Sequence, residues 1–191
     1  MVANRGYHST GAKTRLRLIE AASELLAEEG YVAFTARRIA AKAELKPQLV
    51  HYYFRSMEEL VVTVFQRSSA SYFGLHNEAL SSPRPLHALW NLNSNMPEVR
   101  NLLEYVALGK QYPLLRDEMR KSGENFRAMQ IEAIENVYAD RRIVAVISPA
   151  ALATMMSAAA RSLVIEAHVG LDTGHQEMRD AIAELLDALE G

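Results

Sequence analysis

The side chains best placed to do chemistry fall in one stretch, residues 35–54, which reads TARRIAAKAELKPQLVHYYF. They suit recognition of a polyanion better than bond making. Gln48 carries an amide that can pair bidentately with the edge of an adenine, and Leu49 is an apolar group able to touch a thymine methyl. His51 and Tyr52 can donate hydrogen bonds to phosphate oxygens, contacts that position a protein without reading sequence. Lys46 and Pro47 precede them, and Thr35, Arg37 and Arg55 flank the set. Those nine residues are the candidate DNA-facing group. Arg38, beside Arg37, is a further phosphate candidate, and at least one of the two arginines is expected to be merely solvated.

Two short helices must hold that group. Thr35 is a suitable N-cap, since its hydroxyl can accept from an unpaired backbone N–H one turn in. Ile39, Ala40 and Ala43 give the first helix a small apolar face. Glu44-Leu45-Lys46 connects it to a second helix opened by Pro47, a position where proline is tolerated. Val50, Tyr53 and Phe54 are its inward anchors. Helices this short cannot bury a core alone, so they pack on neighbours and leave one face free. A helix-turn-helix has that construction, and its second helix enters the major groove.

Charge supports this division. The chain has 191 residues and a net charge of −2. Residues 1–55 hold nine Lys/Arg against five acids, a net of +4, which leaves −6 for the rest. A basic head on an acidic body suits contact with phosphates. Catalytic patterns are missing from the sequence: it has no cysteine, no HExxH, no Gly-x-Ser-x-Gly, no Walker loop and no dinucleotide fingerprint. The expectation is a non-enzyme with no cofactor and no bound metal. The polar, basic start MVANRGYHSTGAKTR lacks the apolar run of a secretory signal, and no stretch approaches twenty uninterrupted apolar residues. A cytoplasmic protein without a membrane span is expected.

The segment from about Thr14 to Leu60 resembles the DNA-binding domain of the TetR (tetracycline-repressor) family of transcriptional regulators. The resemblance rests on EEGYVAFT, ARRIAAKA, LVHYYF and SMEEL in that order, and HYYF before a new helix start is the most family-specific part. It implies an all-α fold of about nine helices: a three-helix, homeodomain-like helix-turn-helix head, and a helical effector and dimerisation body. It further implies a homodimer joined through its last two helices, a palindromic operator, and a small effector of unknown identity. Two residues depart from the family pattern. Glu44 stands where a glycine is usual, making a left-handed backbone there unfavourable. Met57 replaces a common lysine, leaving Arg55 to make that phosphate contact.

In chain order, residues 1–11 are expected to be a flexible basic arm, with Arg5 able to reach a minor groove, and 12–72 the head. A helix from Lys13 to Glu29 closes at Gly30, after which Tyr31 and Phe34 pack the small core. Ser56 and Glu59 make a capping box for a long helix to about Leu80. Residues 73–191 form the body, with helices near 85–94, 97–111, 113–140, 149–168 and 176–189, and Ile143–Ile147 a link rather than a strand. Its candidate pocket residues are Trp90, Met96, Tyr105, Tyr112, Phe126, Met129, Met155, Met156 and Arg161, since methionines and aromatics suit an adaptable apolar site. Arg161, in an otherwise apolar helix, needs an acid or a ligand anion as partner. The resulting reading is a repressor released by a small apolar effector. The alternative is a DNA-binding adaptor that recruits a protein and senses no ligand.

Overall fold

The computed structural model describes residues 5–95, 98–140 and 146–191. Its helices are α1 (Arg5–Glu29), α2 (Ala36–Lys42), α3 (Gln48–Tyr53), α4 (Met57–Leu80), α5 (Pro85–Asn95), α6 (Glu98–Gly109), α7 (Pro113–Asp140), α8 (Pro149–His168) and α9 (His175–Glu190), with a 3-10 turn at Tyr31–Ala33. No strand occurs among the described residues. The described residues are all-α, as the resemblance implies. Ile143, Val144 and Ala145 lie outside the described residues, and Val146 is fully exposed outside any helix.

The chain divides into two compact units, each assembled from two stretches of sequence. One unit comprises Met1–Ser68 with Asn101–Met119; the other comprises Ser69–Arg100 with Arg120–Gly191. Helices α4 and α7 each contribute to both.

In the first unit, α1 presents Leu18, Ala22, Leu25 and Leu26, all at most 2 % exposed, to Ile39 of α2, Val50 of α3 and Leu60, Val61 and Val64 of α4. Each large apolar side chain so buried stabilises the fold by roughly 1.5–3 kcal/mol relative to exposure. Tyr105 and Leu108 of α6 and Leu115 of α7 complete this core, far along the chain from the helix-turn-helix. The carboxylate of Glu104 accepts from the Tyr31 backbone N–H at 2.6 Å, and Glu58 accepts from that of Leu114 at 2.8 Å. Gly30 sits at φ 76, and a β-carbon there would stand 3.0 Å from the Glu104 carboxylate. The left-handed backbone therefore favours glycine, and any larger residue would also have to displace the Glu104 carboxylate.

Two expectations for this unit are corrected. Helix α1 begins at Arg5, well before Lys13, so residues 5–11 are helical rather than an arm. A β-carbon on Gly11 would lie 3.6 Å from the Tyr53 hydroxyl, so the extra turns have a surface to pack on. Residues 1–4 and the side chain of Arg5 lie outside the described residues. Tyr31 is 48 % exposed, while Phe34 is buried. The 3-10 turn gives the inward position to Ala33 instead.

In the second unit, α5 lies along α8, with α9 against both. Leu86 and Trp90, Leu152 and Met156, and Ile182 and Leu186 form its core together with Ile134 of α7. Ser148 caps α8 by accepting from Ala151 N–H at 3.2 Å, with Pro149 opening the helix.

Candidate nucleic-acid interface

The helix-turn-helix is built from local chemistry. Thr35 accepts from Arg38 N–H at 3.4 Å and starts α2. At its other end, Leu45 N–H reaches Ala40 C=O at 2.8 Å and Glu44 N–H reaches Ala41 C=O at 3.0 Å. This is the Schellman pairing, which requires a left-handed residue after the helix. Glu44 fills that position at φ 53. The unfavourable backbone anticipated from its sequence is therefore present, at a cost of roughly 1–2 kcal/mol for a residue with a β-carbon. Arg17 of α1 donates to the carbonyl of Ala43 at 2.7 Å, pinning the same turn from outside. Sequence reasoning did not single out Arg17, because the partner is a backbone oxygen 26 residues away.

Helix α3 begins after Pro47, which lies in the right-handed region at φ −55. Val50 and Phe54 are about 1 % exposed and Tyr53 is partly buried, which fixes the inward face. Gln48, His51 and Tyr52 are exposed, Tyr52 to 78 %, and Leu49 is partly buried at the rim. Spacing of three and four places Gln48, His51 and Tyr52 on one helix face. Arg15 holds its guanidinium over the Phe54 ring at 4.8 Å, and the Tyr52 and Tyr53 rings meet edge to face at 4.9 Å. After α3, Ser56 accepts from Glu59 N–H at 3.0 Å, while the Glu59 carboxylate reaches Arg55 N–H at 2.8 Å. The reciprocal cap thus lands one residue earlier than the usual box.

The cations divide cleanly. Arg38 pairs with Glu29, and Lys42 lies 2.8 Å from Glu28 and 3.5 Å from Glu24. The hydrogen bond to Glu28 raises the Lys42 ammonium above its ordinary pKa. Thr35, Arg37, Lys46, Pro47 and Arg55 are exposed, and the Arg37, Lys46 and Arg55 side chains have no partner among the described residues. Arg37, not Arg38, is the arginine left open at the start of α2.

The sequence model of bacterial regulatory proteins of the tetR family matches residues 18–64, from the middle of α1 into α4. That span contains the whole helix-turn-helix. The N-terminal domain belongs to the tetR family. The chain is accordingly a DNA-binding transcriptional regulator of that family, whose members are in general not enzymes. No curated protein matches the chain. Solved structures with the same fold include a proposed transcriptional regulator from Saccharomonospora viridis in complex with choline, 21 % identical, with a TM-score of 0.77 over 90 % of this chain and 96 % of that one. A TetR transcription regulator from Haloarcula marismortui is 17 % identical with a TM-score of 0.73, covering 93 % and 98 %. Reduced NemR from Escherichia coli is 20 % identical with a TM-score of 0.73, covering 90 % and 94 %. Likeness at these identities is one of fold.

For this tetR-family regulator the candidate effector residues are scattered. Tyr105 and Tyr112 belong to the first unit; burial pushes the Tyr105 hydroxyl up to about 12, and its ring meets Phe65 edge to face at 5.1 Å. Trp90 and Met156 are core of the second unit, whereas Met155 is 51 % exposed. Met96 lies outside the described residues. Phe126 stacks on Phe73 with ring centres 3.9 Å apart, beside Tyr72 and His76. Met129 borders a cleft of about 590 Å³ with Asn77, Leu80, Glu132, Val137 and Asp140. Arg161 has no acid partner among the described residues, and its charge acts on Arg127. His76, which sequence reasoning passed over, is fully buried, its Nδ1 3.2 Å from the Tyr72 carbonyl and its Nε2 unpartnered. No group of three or more His, Asp or Glu side chains among the described residues could hold a metal ion.

Proposed function

We propose that this regulator is a homodimeric repressor that docks α3 in the major groove of a palindromic operator and lets go when a small, largely apolar effector binds its C-terminal helices. The observation that carries the DNA contact is the outward face of α3. Gln48, His51 and Tyr52 project from it, and Arg37, Lys46 and Arg55 around it have no partner among the described residues. Lys46, Arg37 and Arg55 supply phosphate contacts, His51 and Tyr52 position the helix, and Gln48 with Leu49 reads bases. Thr35 and Pro47 lie at the two helix starts, where backbone approaches phosphate. The head is residues 12–72 in this assignment, and 73–191 is the effector and dimerisation body. Such a protein works in the cytoplasm, where its operator is.

Support for the dimer comes from α8 and α9. An 18-residue window of α8 has a mean hydropathy of 1.2, enough by composition to cross a membrane, and 28 % of it is buried within the chain. Leu152, Met156 and Leu163 make it a core helix on one side. Ala151, Met155, Ala158 and Ser162 form an exposed stripe on another, and Met178, Ala181 and Ala188 form one on α9. Small residues in stripes let helices approach closely, so a second copy is the natural cover. Two heads on a two-fold axis read half-sites about 34–36 Å apart, giving affinity that one six-residue helix cannot. The fold relative from S. viridis was solved in complex with choline, which supports a small-molecule ligand here too.

The test is binding of the purified protein to the DNA flanking its own gene across a salt series. Tight, steeply salt-dependent binding to a palindrome is expected, with one dimer per site. Weak binding indifferent to sequence, at every salt concentration and on every flanking segment, would overturn the docking described.

A further inference from the structure

Helices α7 and α8 face each other along a seam whose pairing is readable from one hydrogen bond. Ser157 of α8 donates to Gln130 of α7 at 3.0 Å, and both residues are buried. One turn before Gln130 on α7 stands Arg127; one turn after Ser157 on α8 stands Arg161. Two guanidiniums therefore occupy the next rung of the same seam. In the other direction the seam becomes apolar, with Ile134 against Leu152 and Ala153 in the core. One end of the seam is cationic and the other apolar.

Neither arginine has an acid partner among the described residues. Glu124, one turn before Arg127, is engaged by Arg120 at 3.0 Å. Glu166, the acid nearest Arg161 along α8, accepts from Ser162 at 2.6 Å and lies 2.9 Å from His175 Nε2. The Nη1 of Arg127 is buried with no hydrogen-bond partner. Burial, and then the Arg161 charge, lower the Arg127 guanidinium below its ordinary value. A buried N–H donor without a partner is costly even on a partly buried cation, and a second like charge beside it adds to that cost.

We propose that Arg127 and Arg161 together form an oxyanion site, which takes the carboxylate or phosphate head of a small ligand whose apolar body lies along the α7–α8 seam. Two guanidinium forks offer several N–H donors to a head group with acceptor oxygens, and hydrogen bonds between ionised partners are about twice as strong as neutral ones. This names the chemical class of the effector and so rests on the ligand-released reading above.

The experiment uses the full-length protein and four probes: octanoate, octyl phosphate, octanol and inorganic phosphate. Thermal melting and calorimetric titration report binding, and operator retention reports release. Octanoate or octyl phosphate should bind saturably and raise the melting temperature, octanol should do neither comparably, and R127Q and R161Q should each weaken the anion at least tenfold. Without ligand, R127Q should melt no lower than the wild type, because it removes the unpaired donor. The inference is overturned if both alkyl anions bind no better than octanol, or if their binding ignores both arginines. It is also overturned if the two variants change only the dimer dissociation constant, which would mean that a carboxylate of a second copy occupies the rung. Anion binding with the expected arginine dependence, but with operator binding unchanged, keeps the oxyanion site and rejects the released repressor. Operator release by octanol alone does the reverse.

Discussion

Glu190, near the end of α9, closes the first turn of α5 around His87. Its carboxylate accepts from the backbone N–H groups of Leu86 at 2.7 Å and His87 at 3.1 Å, and lies 2.6 Å from His87 Nδ1. Those N–H groups have no helical acceptor of their own, because they open the helix. A carboxylate supplied 103 residues downstream does the work of a local cap, and it is 5 % exposed while doing so.

Replacing Glu190 should therefore destabilise the second unit. Glu190→Ala leaves two helix-start N–H groups and the His87 ring without their acceptor, a loss of about 1–3 kcal/mol per buried unpaired group. Glu190→Gln keeps one amide oxygen and should fall between alanine and wild type. Urea denaturation followed by circular dichroism reads both; an unchanged midpoint for Glu190→Ala would mean that solvent replaces the carboxylate freely.

His76 gives a pH signature. Burial holds its imidazole below the ordinary value of 6.5, partly opposed by the bond to the Tyr72 carbonyl. The unfolded chain thus takes up a proton near pH 6.5 while the folded chain does not. Stability present above 6.5 is lost as pH falls from there toward the lower folded value, with a slope of at most about 1.4 kcal/mol per pH unit for one proton. His76→Leu should remove that part of the acid-side loss. Denaturation midpoints of variant and wild type at pH 7.5 and 5.5 should converge or diverge accordingly, and parallel curves would exclude His76 as a contributor.

The turn offers a backbone test. At φ 53, Glu44 occupies a conformation that glycine adopts without a β-carbon clash. Glu44→Gly should stabilise the first unit by about 1 kcal/mol after the greater freedom of glycine in the unfolded chain is set against the relieved strain. Glu44→Ala should give no such gain, since alanine keeps the β-carbon. Equal stabilisation by both would point to relief of charge rather than of backbone strain.

Much of this was legible because it is local. The Thr35, Ser56 and Ser148 caps, Gly30 and every helix of the body follow from residues within a few positions of each other, and the structure keeps them. What sequence could not show depends on partners far along the chain. Arg17 on the Ala43 carbonyl, Glu104 on Tyr31 and Glu190 on α5 are each a long side chain meeting a backbone group, which leaves no periodicity to read. Arg161 was recognisable as a charge needing company, but its neighbour proved to be Arg127, another cation. The exposed face of α3 could be assigned from its apolar anchors alone, since fixing Val50 and Phe54 inward leaves Gln48, His51 and Tyr52 outward.

Two lysines four residues apart separate phosphate contact from charge in general. Lys42 is held by Glu24 and Glu28, whereas Lys46 is exposed with no partner among the described residues. If docking occurs through the start of α3, Lys46→Gln should weaken binding to specific and random duplexes alike and lower the slope of log K against log salt by about one. Lys42→Gln, which removes the same formal charge from the same domain, should leave the slope nearly unchanged, because that ammonium already has its counterions. Gln48→Ala should leave the slope alone and instead flatten the preference at one operator position by roughly 1–3 kcal/mol. Fluorescence anisotropy on a labelled operator and its single-base variants, from low to physiological salt, measures all three. A slope that falls equally for Lys42→Gln and Lys46→Gln would show that the head is held by its overall field, with no particular phosphate beneath Lys46.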